Sequence, residues 1–247
     1  MALKTIGSTV VEFDALDSTN NYVAKALEAA SYEPGSVILA HMQTEGRGRQ
    51  GSTWQAEPAK NLTFSFALEL DFLSLHKRFL LSKAVSVAVI EALEAVLGQE
   101  VYVKWPNDLI LNQKKVCGML IETRGSRAVH AIVGIGINVN QMKFAPELKA
   151  TSLALETGMA INRRKLLDDI CRQLQAQIEL LRNGHHEAIN ASYAARLYRR
   201  NEWTQVQCGH RNYQLMVKDV DDQGMLITHS RQGHTELFRA GELKITY

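Results

Sequence analysis

The sequence predicts an α+β fold in which mixed strands and helices run to about residue 200 and a short all-β tail follows. Three observations carry this. The segment 61–70, NLTFSFALEL, alternates with period two and places Phe64, Phe66 and Leu68 on one face, as in a half-buried strand. Two stretches, 75–97 and 163–182, have helical patterning. After Asn201 the chain changes to short β runs punctuated by DDQG and RQG turns, which by strand spacing reads as a small β-barrel-like unit. A length of 247 residues is enough for one large domain, or one large and one small.

The elements follow in order. Val10, Val11, Phe13 and Leu16 mark a short strand or an irregular lead-in. At 17–20, DSTN offers cap-forming side chains before Tyr22, Val23, Ala26, Leu27 and Ala30 recur at helical spacing, so a helix capped by one of these residues is expected to run to about Ser31. Pro34 and Gly35 turn the chain into a buried strand, 36–41, that delivers Gln43 and the loop QTEGRGRQG (43–51). A long buried helix is expected over 75–97, ended by Gly98. A strand at 101–103 leads to a bend, KWPND, in which Pro106 restricts Trp105 to extended geometry; 109–111 and 115–123 then form a hairpin around NQKK. The strand 128–140 has Val133, Ile135 and Ile137 on one face and Gly134, Gly136 and Asn138 on the other, a bare strip suited to close approach. A short helical turn in SLALETG, an amphipathic helix over 163–182 and another helix over 185–198 precede the β tail.

Composition excludes little. Hydrophobic and charged fractions of 46% and 22% are those of an ordinary globular protein, and a formal charge of +2 predicts neither a nucleic-acid nor a membrane surface. No targeting segment or membrane-length apolar run is visible, so a cytoplasmic protein is expected. Cys117, Cys171 and Cys208 lack metal-ligand spacing and are expected as free thiols.

The chemistry is concentrated between residues 17 and 140. Ser18, Thr19, Asn20 and Gln43 are neutral polar groups, Arg47, Arg49, Lys104 and Lys115 are cations, and Asp108 is a candidate metal-positioning carboxylate. Such an inventory suits joining two anions, because a carboxylate attacking a phosphate requires fixed positive charge where negative charge concentrates. No Walker A, HExxH, GxSxG or GxGxxG pattern competes.

DSTN at 17–20, QTEGRGRQG at 43–51, KWPNDL at 104–109, KVCGMLIE at 115–122 and VGIGINVN at 133–140 resemble, in order and spacing, the motifs of the biotin–protein ligases (biotin–[acetyl-CoA-carboxylase] ligases). The strong match covers about half the chain; the helices after 160 and the β tail match in pattern and position. The resemblance implies a mixed sheet with flanking helices, like class II aminoacyl-tRNA synthetases, over residues 1–200, and a small SH3-like β-barrel over 201–247. It further implies that biotin and MgATP give biotinoyl-5′-AMP and pyrophosphate, and that a lysine of a biotin carboxyl carrier protein then takes the biotinoyl group.

Carried over by position, Ser18, Thr19, Asn20, Gln43, Gly46, Arg47, Lys115, Gly118, Gly134 and Gly136 would bind biotin. Arg47, Arg49, Trp54, Lys104, Asn107, Lys115 and Asn138 would bind ATP or the adenylate, with Trp54 covering the adenine and Asn138 hydrogen-bonding it. Lys115, Arg47, Arg49 and Asp108 would be catalytic, Asp108 helping to place Mg²⁺. Departures are also visible. Gln50 stands where many members carry arginine, and GELKITY lacks a late arginine found in some. DSTN lies so near the start that no winged helix-turn-helix, and hence no DNA partner, is expected. Homodimer and monomer are both compatible with the sequence. A lipoate ligase or octanoyltransferase is the nearest rival, disfavoured by GRGRxG and KWPND.

Overall fold

The computed structural model describes residues 4–125 and 129–245. The expected strand at 128–140 begins, at Ala128, outside the described residues, as do the first three and last two positions of the chain. In chain order the elements are β1 (Thr9–Leu16), α1 (Thr19–Glu28), β2 (Ser36–Gln43), β3 (Leu62–Glu69), α2 (Phe79–Leu97), β4 (Tyr102–Lys104), β5 (Asp108–Leu111), β6 (Lys114–Arg124) and β7 (His130–Ile137). They continue as α3 (Leu153–Thr157), α4 (Arg163–Arg182), α5 (His186–Ala195), β8 (Trp203–Cys208), β9 (Arg211–Val220), β10 (Leu226–His229), β11 (Thr235–Phe238) and β12 (Lys244–Ile245).

Strands β1 to β7 form a seven-stranded mixed sheet in the order β1-β2-β3-β7-β6-β5-β4, with β1 parallel to β2 and every other pair antiparallel. The period-two pattern divides its faces. Phe64, Phe66 and Leu68 of β3 and Val133, Ile135 and Ile137 of β7 point into the main core. That core is closed by α2, which is apolar nearly all round because it lies between the sheet, α4 and α5. On the other face α1 covers a second, smaller cluster of Val23, Ile38, Ala67 and Ile132. This thinly covered face carries the candidate site.

Local chemistry shifts several boundaries. The expected single helix over 75–97 is wound as a 3₁₀ turn at Leu75–Lys77 before α2 begins, a common tightening at helix N-termini. Its C-terminus is Gly98 in the left-handed region (φ 62°), whose N–H donates to the Glu94 carbonyl. Helix α1 stops at Glu28 rather than Ser31, because Ala30 turns left-handed (φ 52°) and the Tyr32 hydroxyl is drawn to the sheet, donating to Ser36 O and accepting from Ala67 N. The last expected helix is shortened to α5, and the strand expected at 101–103 includes Lys104.

Strands β8 to β12 form an antiparallel sheet in the order β11-β10-β9-β8-β12. It is joined to the first sheet's core through the turn after β9. Lys83 of α2, only 2% exposed, donates to Val220 O at 2.6 Å and to Asn190 Oδ1 at 2.7 Å, and burial lowers its pKa against the opposing pull of Asp222. Trp105 Nε1 donates to Gly224 O at 3.0 Å, so the KWPND bend, which carries a cis Trp105–Pro106 peptide, is tied directly to the β tail. Gly224 itself has φ +87°, and a Cβ there would lie 2.5 Å from the Phe79 ring.

Gly224→Ala is expected to destabilise the protein by about 2–4 kcal/mol, combining left-handed backbone cost with overpacking. Gly209→Ala, also left-handed (φ +57°) but with no atom within 4 Å of the added Cβ, should lose about 1–2 kcal/mol. Denaturant titration of the two variants checks this, and equal losses would contradict the packed turn.

Candidate active site

Three strands build the floor of the site by register. Gly136 of β7 pairs with Thr63 of β3 on one side and Gly118 of β6 on the other; Gly134 likewise pairs with Ser65 and Leu120. Both glycines are needed for close approach by other parts of the chain. A Cβ on Gly134 would lie 2.2 Å from Asn20 Oδ1, and one on Gly136 would lie 2.4 Å from the Trp54 indole.

Above the floor stands the N-terminus of α1. The expectation that a DSTN side chain caps this helix is corrected: Ser18 occupies the cap position and makes no side-chain cap bond. The first helical amide is served from β2, where Gln43 Oε1 accepts from Thr19 N at 2.8 Å and from Thr19 Oγ1 at 3.1 Å. Asp17 turns away, accepting from Ser18 N at 2.6 Å; that amide holds its carboxyl below the usual range. Asn20 is fully engaged, its Oδ1 accepting from Ser65 Oγ at 2.6 Å and its Nδ2 donating to Glu122 Oε2 at 2.8 Å.

The arginine loop closes one side. Gly48 N donates to Ser52 O and Trp54 N to Gly46 O, and Gly46 is small because its Cβ would fall 2.4 Å from Trp54 O. Gly46 thus shapes the loop and does not line the pocket. Arg47 Nη2 donates to Asn21 Oδ1 at 2.7 Å and Glu122 Oε2 at 3.1 Å. Arg49 lines the pocket, with burial lowering its pKa and Asp108 opposing that. Gln50, left-handed at φ 51°, reaches the β tail, its Nε2 donating to Ala240 O at 3.4 Å. The Trp54 ring lies on Gly136 and beside Gly118, and its Nε1 is buried with no hydrogen-bond partner among the described residues.

At the far end Lys115 Nζ pairs with Asp108 at 2.6 Å and lies 5.6 Å from the Trp54 ring centroid. The bend holding Asp108 is fastened to β6 by Asn107, whose Nδ2 donates to Met119 O at 2.7 Å. The resulting cavity, about 160 Å³, is lined by most of the expected residues: Ser18, Thr19, Asn20, Gln43, Arg47, Arg49, Trp54, Asn107, Asp108, Lys115, Gly118, Gly134 and Gly136. A larger cavity of about 530 Å³ adjoins it past Arg49, Asn107 and Met119, and is lined by Leu75, Phe79 and Ile121 among others. The smaller one carries the Lys115–Asp108 pair and the glycine floor.

Besides Gly46, two expected ligand residues lie elsewhere. Asn138 follows the end of β7 and is buried, its Nδ2 donating to Thr151 O at 2.9 Å and Lys115 O at 3.4 Å, so it holds the backbone of Lys115; it does not line the cavity. Lys104 is 7% exposed and does not line the cavity; burial moves its pKa down to about 8 against the attraction of Asp108. Glu122, Ser65 and Thr63 were not anticipated. The alternation of β3 that puts Phe64 and Phe66 in the core does place Thr63 and Ser65 on the opposite face, and that of β6 places Glu122 with Gly118 and Leu120, though nothing local identifies its partners. Among the described residues no three His, Cys, Asp or Glu side chains gather as a metal site, and no helix is long and apolar enough to cross a membrane.

The arrangement therefore has a neutral hydrogen-bonding end, an aromatic cover and a charged end. A pH test follows from Lys104. The folded chain releases its proton near pH 8 and the unfolded chain near 10.5, so between these values the unfolded state binds more protons and stability rises with pH. Denaturation at about pH 7 and about pH 10 should show wild type gaining on Lys104→Met; a constant difference would contradict the burial of this ammonium.

Residues 12–138 match the model of the Biotin/lipoate A/B protein ligase family. The chain is 31% identical over 232 residues to the biotin--[acetyl-CoA-carboxylase] ligase of Mycobacterium tuberculosis, covering 92% of this chain and 85% of that one. It is 32% identical over 231 residues to the enzyme of the same name from Paracoccus denitrificans, with coverage of 88% and 92%. Its fold is similar to the structure of the biotin protein ligase from Aquifex aeolicus in complex with biotin and ATP, with a TM-score of 0.81 and 26% identity over 97% of this chain and 99% of that one. With its site geometry and its motifs spanning the matched segment, the chain belongs to the biotin/lipoate A/B protein ligase family.

Proposed function

We propose that this pocket joins biotin to the α-phosphate of ATP and then releases the biotinoyl group to a lysine of the carboxyl carrier of acetyl-CoA carboxylase. In the first step a biotin carboxylate oxygen bonds to the α-phosphorus and pyrophosphate leaves. In the second the lysine amine bonds to the carbonyl carbon, AMP leaves and a proton is released. The observation that carries the reading is the Lys115–Asp108 pair at 2.6 Å, lining one cavity with the neutral polar groups and Arg49.

Within this reading Ser18, Thr19 and Gln43 hydrogen-bond the ureido ring, and Gly118 and Gly136 give it and its tail a flat floor. Lys115 bridges the carboxylate and the α-phosphate, where two like charges meet, and works best while charged. Arg49, desolvated and with no ion pair among the described residues, takes the phosphates. Trp54 slides from the glycine floor to cover the adenine. Asp108 releases Lys115 as the anions enter and is the carboxylate available to Mg²⁺; a single protein carboxylate fits an ion that keeps water and phosphate for the rest of its shell. When bound, the ion neutralises phosphate charge.

The first 200 residues then correspond to a catalytic domain of class II synthetase type and residues 201–247 to an SH3-like unit. We further propose a cytoplasmic setting with no DNA partner and leave dimer formation to be read by light scattering.

The test is exchange of labelled pyrophosphate into ATP on the purified protein with Mg²⁺. Biotin is expected to support exchange and lipoate or octanoate not, while Lys115→Ala should lose about 10²-fold or more. Exchange driven by lipoate alone would move the substrate assignment, and an unimpaired Lys115→Ala would remove Lys115 from the chemistry.

A further inference from the structure

We infer that Glu122 is a positioning residue that holds the arginine loop shut over the neutral end of the pocket, and that Arg47 is the loop's clasp. The inference rests on the biotin reading above. Glu122 lies on β6 two residues beyond Leu120 and four beyond Gly118, so by strand alternation it shares their face of the sheet. Its Oε2 accepts from Asn20 Nδ2 at 2.8 Å and from Arg47 Nη2 at 3.1 Å. One carboxylate thus joins α1, the loop and β6. Arg124 stands further out, 3.8 Å from Oε1.

The same geometry separates the two loop arginines. Arg47 Nη2 carries two hydrogens, and both are directed at protein acceptors, Asn21 Oδ1 and Glu122 Oε2. Its charge is already matched. Arg49 has no hydrogen-bonded carboxylate among the described residues and is desolvated, as an anion receptor should be. The loop's entry is tied by backbone bonds from Thr44 N and Glu45 N to Leu16 O and Asp17 O. Its closing residue, Trp54, rests on Gly136 and Gly118; between entry and close, among the described residues, the stretch 46–51 is hydrogen-bonded to the rest of the protein by the Arg47 clasp and the long Gln50–Ala240 contact. Removing the Glu122 charge therefore frees the stretch of loop that flanks Ser18, Thr19 and Gln43, while leaving Arg49 and Lys115 in place. The side chains are 22% and 41% exposed for Glu122 and Arg47, so the effect lies between that of a surface pair and that of a buried one.

The experiment measures biotin dissociation by stopped flow, and the KM for biotin and for ATP in pyrophosphate exchange, for wild type, Glu122→Gln, Arg47→Met and the double variant. Each single variant should release biotin about tenfold faster and raise the biotin KM with little change in the ATP KM. The double variant should be no worse than the poorer single, since both remove one clasp. Multiplying effects, or an Arg47→Met variant whose ATP KM rises in place of its biotin KM, would overturn the inference. If Glu122→Gln does not fold, Arg47→Met alone decides by the same KM split. Wild type that fails to bind biotin defeats the functional reading and this inference with it. Wild type that binds biotin, with both singles dissociating at its rate, defeats this inference alone.

Discussion

The structure depends on β7 presenting two unlike faces. One is packed with Val133, Ile135 and Ile137 against α2, which fixes the strand at the centre of the sheet. The other is bare at Gly134 and Gly136, and the bareness is a steric requirement, because Asn20 and Trp54 already occupy the space a side chain would take. Register extends the bare strip sideways, since Gly118 lies directly across from Gly136. A strand rigid on one side and accessible on the other is what a site needs when small displacements of a reacting group are costly.

Of the three cations lining the pocket, two are held in ion pairs and Arg49 is not among them. Lys115 is matched by Asp108 and Arg47 by Glu122, so neither cation stands unpaired against the floor of the sheet. Such pairing lowers the cost of keeping cations in a partly desolvated cavity. The two pairs are not equivalent. Asp108 sits on a bend that is secured independently, through Asn107 to Met119 and through Trp105 to Gly224, so it stays put when Lys115 changes partners. Glu122 instead gathers loop, helix and strand, so its loss would change the shape of the site. The β tail contributes to both ends, fastening the bend through Trp105 and meeting the arginine loop at Gln50.

Much of the fold was legible because its signals are local. The alternation in 61–70 gives β3 and its buried face, the amphipathic stripe gives α4, and the glycine pair gives the bare face of β7. What was not legible depended on partners far along the chain. The α1 amide is satisfied by Gln43, 24 residues away, which no reading of DSTN as a cap could reveal. Glu122 meets Arg47 across 75 residues and looks, in sequence, like one acid at the end of a strand. Asn138 lies one residue past β7, and its side-chain amide donates to Thr151 O and Lys115 O, partners that no alternation pattern displays. Lys104, read as a cation for the adenylate, is buried behind the bend that was expected to display it.

Lys115 is held in the pocket by Asp108, and binding exchanges that partner for the reacting anions. A crystal structure with biotin and a non-hydrolysable ATP analogue tests it most directly. The predicted result is Lys115 Nζ withdrawn from Asp108 and placed between the biotin carboxylate and the α-phosphate, with the Trp54 indole moved off Gly136 onto the adenine. Lys115 still paired with Asp108, Trp54 still on the glycine floor and the nucleotide lodged in the larger neighbouring cavity would contradict it.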